Sequence, residues 1–231
     1  NGLGGTLIAT TSGPVISTNS WNHIETAYNG TTGAISVRVN GVQRLTGVSA
    51  NTGTIAFAHP IDRIGAGIGS LPLIKDLVLW DGTGTQNNNF MGTVICRRLD
   101  PDSDTTLGDW VPSTGTTGFN LLAKSAPNDL TYLSAGQTGL NHMQFGFTNL
   151  PVDVTSVRGI VSVVRARKID GGDANLQVGL TSGANIDQGA DRPVTTTFTY
   201  YYDISEINPT TAAPWTPVQV DAMGGRVDRT L

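Results

Sequence analysis

Cysteine is almost absent from the chain. Cys96 is the only one, so no disulfide can form within it and no zinc site can be built on several thiolates; on its own, Cys96 reads as a small buried apolar residue on a strand. Charge is scarce as well. Asp, Glu, Lys and Arg make up 14% of the residues, against about a quarter in an ordinary soluble domain. The 14 cationic and 18 acidic side chains are dispersed and sum to −4. Such a balance argues against a nucleic-acid groove, which needs clustered Lys and Arg to displace counterions from phosphate. Long apolar runs are missing too: none approaches the roughly 18 residues of a membrane span, and no charged segment followed by an apolar stretch opens the chain. A soluble protein without membrane insertion is expected. No stretch of ten or more residues keeps a 3.6 period, so helix should be nearly absent. Methionine is missing from the start; Asn1 opens a Gly-rich stretch, which reads as the beginning of a fragment or a processed product.

What is present favours extended chain and turns: 31 Thr, 29 Gly and 38% hydrophobic residues in 231. Chains of this length bury most of their apolar surface without a metal or disulfide staple. Trp21–Tyr28, a turn at Asn29–Gly33 and the alternating Ala34–Val39 lead into Asn40-Gly41, two residues that accept positive φ. A tight hairpin into Val42–Leu45 follows, completing a three-stranded meander. Thr54–Phe57, Asp62–Ile64 and Leu73–Trp80 read as further strands, the last apolar on both faces as in the middle of a sheet. Nine positions from Asp81 to Asn89 then hold no apolar residue, marking a loop or linker.

Beyond it, Phe90–Leu99 reads as a strand and Asp100–Asp104 as a polar loop. Phe119–Leu122 and Leu130–Leu133 are short apolar runs between turns. Gly159–Arg167, a turn at Asp170–Asp173 and a return strand at Asn175–Leu180 suggest a second hairpin; Thr195–Tyr202 and Gly225–Leu231 are the last strands. The fold class expected is all-β, with two tandem antiparallel β-sandwich (jelly-roll-like) domains: residues 1–82, a linker at 83–89, and residues 90–231.

Trp21-Asn-His-Ile, Ile35-Ser-Val-Arg-Val-Asn-Gly-Val42 and Ile74-Lys-Asp-Leu-Val-Leu-Trp-Asp81 together resemble the later strands of laminin-G-like, concanavalin-A-like jelly rolls. The resemblance covers residues 1–82 and lacks the family's first strands, as in a domain whose start is missing. Lys75 stands where an acidic residue is common, which speaks against the calcium site of some members. Pro101–Asp104, Trp110–Gly115, Pro127–Asn-Asp129, Ala166–Lys168, Asn208-Pro-Thr-Thr211, Trp215-Thr216 and Val220-Asp-Ala-Met223 resemble, in that order, the β-sandwich that follows such a jelly roll in tailed-phage structural proteins. The resemblance implies a virion component exposed on the particle surface, as a tail fibre or spike or a capsid decoration. It further implies other virion proteins as partners, a homo-oligomer with a trimer favoured, and attachment to host-surface glycans. It implies no chemistry. The alternatives are a stand-alone carbohydrate-binding module and a polysaccharide depolymerase.

No catalytic, cofactor-binding or metal-binding residue is assigned. A glycosidase needs two carboxylates roughly 5 to 10 Å apart, yet the only glutamates, Glu25 and Glu206, fall in different expected domains, and Asp76 and Asp81, five apart, would face opposite ways on one strand. His23, His59 and His142 stand too far apart in sequence for ligand spacing. Asp100, Asp102 and Asp104 alternate as in a calcium loop, but Thr105 replaces the glycine and Val111 the glutamate such a loop uses, so a solvated turn is the expectation. Trp21 and Trp80 fit a core by strand alternation, Trp110 and Trp215 partial exposure beside turns. Tyr200, Tyr201 and Tyr202 must alternate between faces, so at least one should point outward.

Overall fold

The structure, a computed structural model, describes residues 9–17, 19–48, 75–80, 82, 85–123, 126, 128–135 and 142–230. It is mostly β-sheet, in several antiparallel sheets, and the chain divides into two units, Asn1–Arg97 and Arg98–Leu231.

In the first unit β1 (Ile24–Tyr28), β2 (Ala34–Val39) and β3 (Val42–Val48) form the expected meander. Asn40 and Gly41 take φ of 53° and 78°, the mirror-image turn whose twist matches a hairpin. Val39 therefore faces Val42 across the turn, and a bulge after Val37 leaves Arg44 without an opposite residue. The strands read at Thr54–Phe57 and Asp62–Ile64 lie outside the described residues, as does the start of Leu73–Trp80. The described part of the latter, 75–80, is not a strand: Asp76 sits at φ 56°, which breaks extended pairing, and Leu77 and Leu79 are exposed. Phe90–Leu99 is not a strand either. Its backbone donors turn to side chains instead, Gly92 N–H to the buried Glu25 Oε1 at 2.9 Å and Cys96 N–H to Asp76 Oδ1 at 3.0 Å. Cys96, expected inside, is exposed.

The second unit runs β4 (Pro101–Thr106), β5 (Trp110–Pro112), α1 (Phe119–Leu122), β6 (Leu133–Ala135), β7 (His142–Phe147), β8 (Ile160–Ala166), β9 (Asn175–Ser182), β10 (Asn185–Gln188), β11 (Arg192–Pro193), β12 (Thr199–Ser205), β13 (Ile207–Asn208), β14 (Ala213–Pro214), α2 (Pro217–Asp221) and β15 (Gly224–Thr230). Its main sheet has the order β10-β9-β15-β7-β4, with β11 also on the edge of β9. The closing strand thus lies in the middle, between two strands that precede it. Met143 and Phe145, Leu176 and Val178, and Val227 project from one face of this sheet to meet Tyr201, Val164 and Ala166 from β12 and β8. A second cluster, Leu180, Trp215, Val220 and Met223, continues the core.

Four expectations change here. Asp170–Asp173 does not close a hairpin: β8 pairs with β12 and β9 with β15, so the turn carries the chain from one sheet to another. Asp100–Asp104 is not a loop, since β4 pairs with β7 through two irregularities; Asp104 accepts from Gly118 N–H and Phe119 N–H, both at 2.7 Å. That carboxylate satisfies the first two backbone donors of the short helix α1, whose N-cap is Gly118. Trp215 is buried where exposure was expected, and Trp21 is exposed where burial was expected. Helix α2 has a capping box that strand-oriented reading passed over: Thr216 Oγ1 accepts from Gln219 N–H at 3.3 Å and Gln219 Oε1 from Thr216 N–H at 2.9 Å, with Pro217 in the first turn.

Candidate functional site

Side chains alternate across a strand, so the pairing of β8 with β12 decides what their outer face presents. Tyr201 is buried against the main sheet; Tyr200, Tyr202 and Ile204 therefore point away from it. The register sets Tyr200 opposite Arg165, Tyr202 opposite Val163 and Ile204 opposite Val161. One more step along the same face brings Phe198 beside Arg167. The exposures of Val161 (58%), Val163 (56%), Tyr200 (54%), Tyr202 (49%) and Ile204 (60%) leave an apolar ladder uncovered over a run of strand about 13 Å long.

One end of this ladder is cationic. The Arg165 guanidinium lies 4.6 Å from the Phe198 ring centre and 5.5 Å from that of Tyr200, and Arg167 packs on Phe198 at 4.7 Å. Arg192 from β11 stands 4.8 Å over the Tyr202 ring. Such stacking favours the charge and holds long side chains flat. Asp129 grips Arg165 with both oxygens. No carboxylate among the described residues forms an ion pair with Arg167.

Beyond Tyr201 the inward side of β12 turns polar. The Ser205 hydroxyl donates to Asp187 Oδ2 and accepts from the buried Trp215 Nε1–H at 3.0 Å. Asp203 faces Gly189, where even a methyl group would collide with the carboxyl. Burial raises the Asp203 carboxyl above its ordinary value, and the charge of Asp187 raises it further; a hydrogen bond from the Ile204 backbone and the Arg192 charge act against this. Ser205 is buried, so its hydroxyl serves as a structural link between Trp215 and Asp187. The fully buried Asn208 is satisfied: its amide donates to Ser182 Oγ at 2.9 Å and its carbonyl accepts from Thr210 and Thr211 N–H at 2.8 and 3.1 Å.

Glu25 and Glu206 lie in different units, as do His23 and His142; His59 and Asp81 are outside the described residues. The acids that do meet, Asp187 and Asp203, are 16 positions apart on different strands. No local spacing marks them. Among the described residues no group of three or more His, Cys, Asp or Glu gathers where a metal could sit, and no helix is long and apolar enough to cross a membrane. Of the sequence readings, the alternation of the three tyrosines pointed at the exposed face; its arginines come from segments brought in by non-local pairing.

No family model matches the chain, and neither a curated protein nor a solved structure matches it.

Proposed function

We propose that the chain is a non-enzymatic structural component of a tailed-phage virion, exposed on the particle surface as part of a tail fibre or spike or as a capsid decoration, and built from two tandem β-sandwich domains. The observation that carries the reading is the outer face of β8 and β12. Tyr, Arg and β-branched side chains on one flat sheet face are the composition of protein contact surfaces, in which aromatic residues and Arg are enriched. A patch of this size is often functional. The low charge and the Thr- and Gly-rich strands suit a protein whose work is to pack and present surface. Peptide mass spectrometry and immunogold labelling of purified phage particles test this: the expected result is the chain on tail or head at fixed stoichiometry, and its absence from every purified particle would overturn the proposal.

A second reading, a stand-alone glycan-binding module, draws on the same face, because Tyr200 and Tyr202 offer ring surfaces to a pyranose and Arg167 offers donors to an acidic sugar. Binding on a glycan array that is lost in Tyr200→Ala would support it; an array without a hit would count against it.

A further inference from the structure

We propose that Arg97-Arg98 is a processing site for a protease specific for paired basic residues, which cuts the Arg98–Leu99 bond where the chain passes from one unit to the other.

The backbone around the pair has the form such a protease needs. Nicking concentrates in exposed chain outside regular elements, above all at boundaries that few contacts cross. Residues 90–100 belong to no strand or helix, and Cys96, Arg97 and Arg98 are exposed, as is Ile95. Fixed points lie on either side. Before the pair, Gly92 N–H and Cys96 N–H donate to Glu25 and Asp76 of the first unit, and the Phe90 ring packs 3.9 Å from the Arg38 guanidinium. After it, Leu99 packs against the cluster of Leu180, Trp215, Val220 and Met223, and Asp100 exchanges hydrogen bonds with Thr148 at the start of β4. The two arginines are the span between these anchors.

Chemistry and competition select this bond. Adjacent guanidiniums just before the cut suit a protease whose pockets end in carboxylates, since each fork pairs with a carboxylate through two hydrogen bonds. Arg98 is 46% exposed at its side chain, and its ion pair with Asp100 is a surface one that gives way at small cost. Hydrolysis adds water across the bond: the Arg98 carbonyl carbon takes the hydroxyl and becomes a carboxylate, and the Leu99 nitrogen takes the proton and becomes an amine. One other adjacent basic pair occurs, Arg167-Lys168, and its backbone is held. Lys168 N–H donates to the Thr195 carbonyl at 2.9 Å and its ammonium to the Gly172 carbonyl at 2.6 Å, directly after the pairing of β8 with β12. The sequence offers two pairs and the fold presents one. This inference stands on the segment itself and not on the virion reading.

Digestion of the native full chain with a kexin-type protease, read by intact-mass spectrometry, tests it, beside a synthetic peptide of residues 93–103 and the variants Arg98→Gln and Lys168→Arg. Lys168→Arg makes the second pair identical to the first, so that only its backbone setting differs. Thermal melts followed by circular dichroism check the fold of each variant. The wild type is expected to yield two fragments, Asn1–Arg98 and Leu99–Leu231, at a rate within about tenfold of the peptide, because little structure must open. Arg98→Gln is expected to abolish that cut. In Lys168→Arg the first cut stays after Arg98, and the second pair is cut at least about tenfold more slowly. A peptide left uncut, a native chain that resists while the peptide is cut, an Arg98→Gln protein cut as fast as wild type, or a second pair in Lys168→Arg cut as fast as the first would overturn the proposal.

Discussion

Arg165 and Asp129, 36 residues apart in the chain, meet through two parallel hydrogen bonds, Nε to Oδ1 at 3.1 Å and Nη2 to Oδ2 at 2.7 Å. The pair ties the loop before β6 to the outer face of β8. Both side chains are partly exposed, so the attraction is screened and worth little in isolation, although bidentate geometry places it toward the upper end for surface pairs. Asp129→Ala is expected to lower stability by about 0.5–1 kcal/mol in dilute salt, with the loss shrinking at high ionic strength. Urea unfolding of wild type and variant at two salt concentrations measures this. Equal losses at both would show that the aspartate acts through loop geometry and not through its charge.

Asp203 yields a pH prediction. Its carboxyl is raised in the folded state by burial and by Asp187 from the ordinary 3.8, so folding favours the protonated form. That contribution is fully present below pH 3.8 and is lost as pH rises through the raised folded value. At neutral pH the folded chain therefore carries a carboxylate it would hold more easily as an acid. Asp203→Asn keeps an oxygen for the Ile204 N–H and removes the charge; it is expected to raise the urea midpoint at neutral pH, with the gain fading on acidification. Loss of the Arg192 attraction trims the gain without reversing it, because burial and Asp187 are the larger effects. A variant less stable than wild type at neutral pH would contradict this account.

Local chemistry was legible where a turn or an alternation decides the outcome by itself. Asn40-Gly41 gave the meander, and the alternation of the three tyrosines required at least one outward ring, which the structure realises as Tyr200 and Tyr202 exposed on either side of the buried Tyr201. Pairing over distance was not. Asp170-Gly-Gly-Asp173 is as good a hairpin turn as Asn40-Gly41, yet β8 finds its partner past three intervening strands and the hairpin does not form. Alternation likewise said that Trp21 has one inward and one outward choice, but not which sheet lies on either side. Trp215 could be placed only once Ser205, ten residues earlier, was seen to accept its N–H. The exposed face has the same limit. Tyr200 and Tyr202 share one strand and Phe198 directly precedes it, while Arg165, Arg192 and Asp129 arrive from three other segments. Only the Thr216–Gln219 capping box was written locally and passed over.

Gly179 and Gly171 make a matched pair. An ideal Cβ at Gly179 would stand 2.3 Å from the Asp187 carbonyl oxygen and 3.1 Å from Gln188 Cα, both backbone atoms of β10, whereas one at Gly171 meets nothing within 4 Å. Backbone cannot step aside as a side-chain tip can. Gly179→Ala must push β10 off β9 and is expected to cost about 2 kcal/mol or more. Gly171→Ala is expected to be neutral or to stabilise by up to about 1 kcal/mol, through the smaller entropy of its unfolded chain. Thermal melts of the two variants check the contrast, and a Gly179→Ala protein as stable as wild type would show that β10 is not held where the pairing puts it.

Ser205 joins two groups that cannot easily do without it. Its hydroxyl accepts the Trp215 indole N–H inside the core and donates to Asp187. Ser205→Ala removes one oxygen, but it leaves a buried donor and a carboxylate each short of a partner, and leaving such groups unpaired costs more than the hydrogen bonds were worth. The expected loss is about 2–3 kcal/mol by urea unfolding. Thr216→Ala, which removes only the cap of α2 next to the same tryptophan, is expected to cost about 1 kcal/mol. The order of the two discriminates between sources of stability. If the core at Trp215 were held by packing alone, Ser205→Ala would be the milder change, since alanine fills nearly the same space; the larger loss at Ser205 follows only if the polar link through its oxygen holds the tryptophan in place.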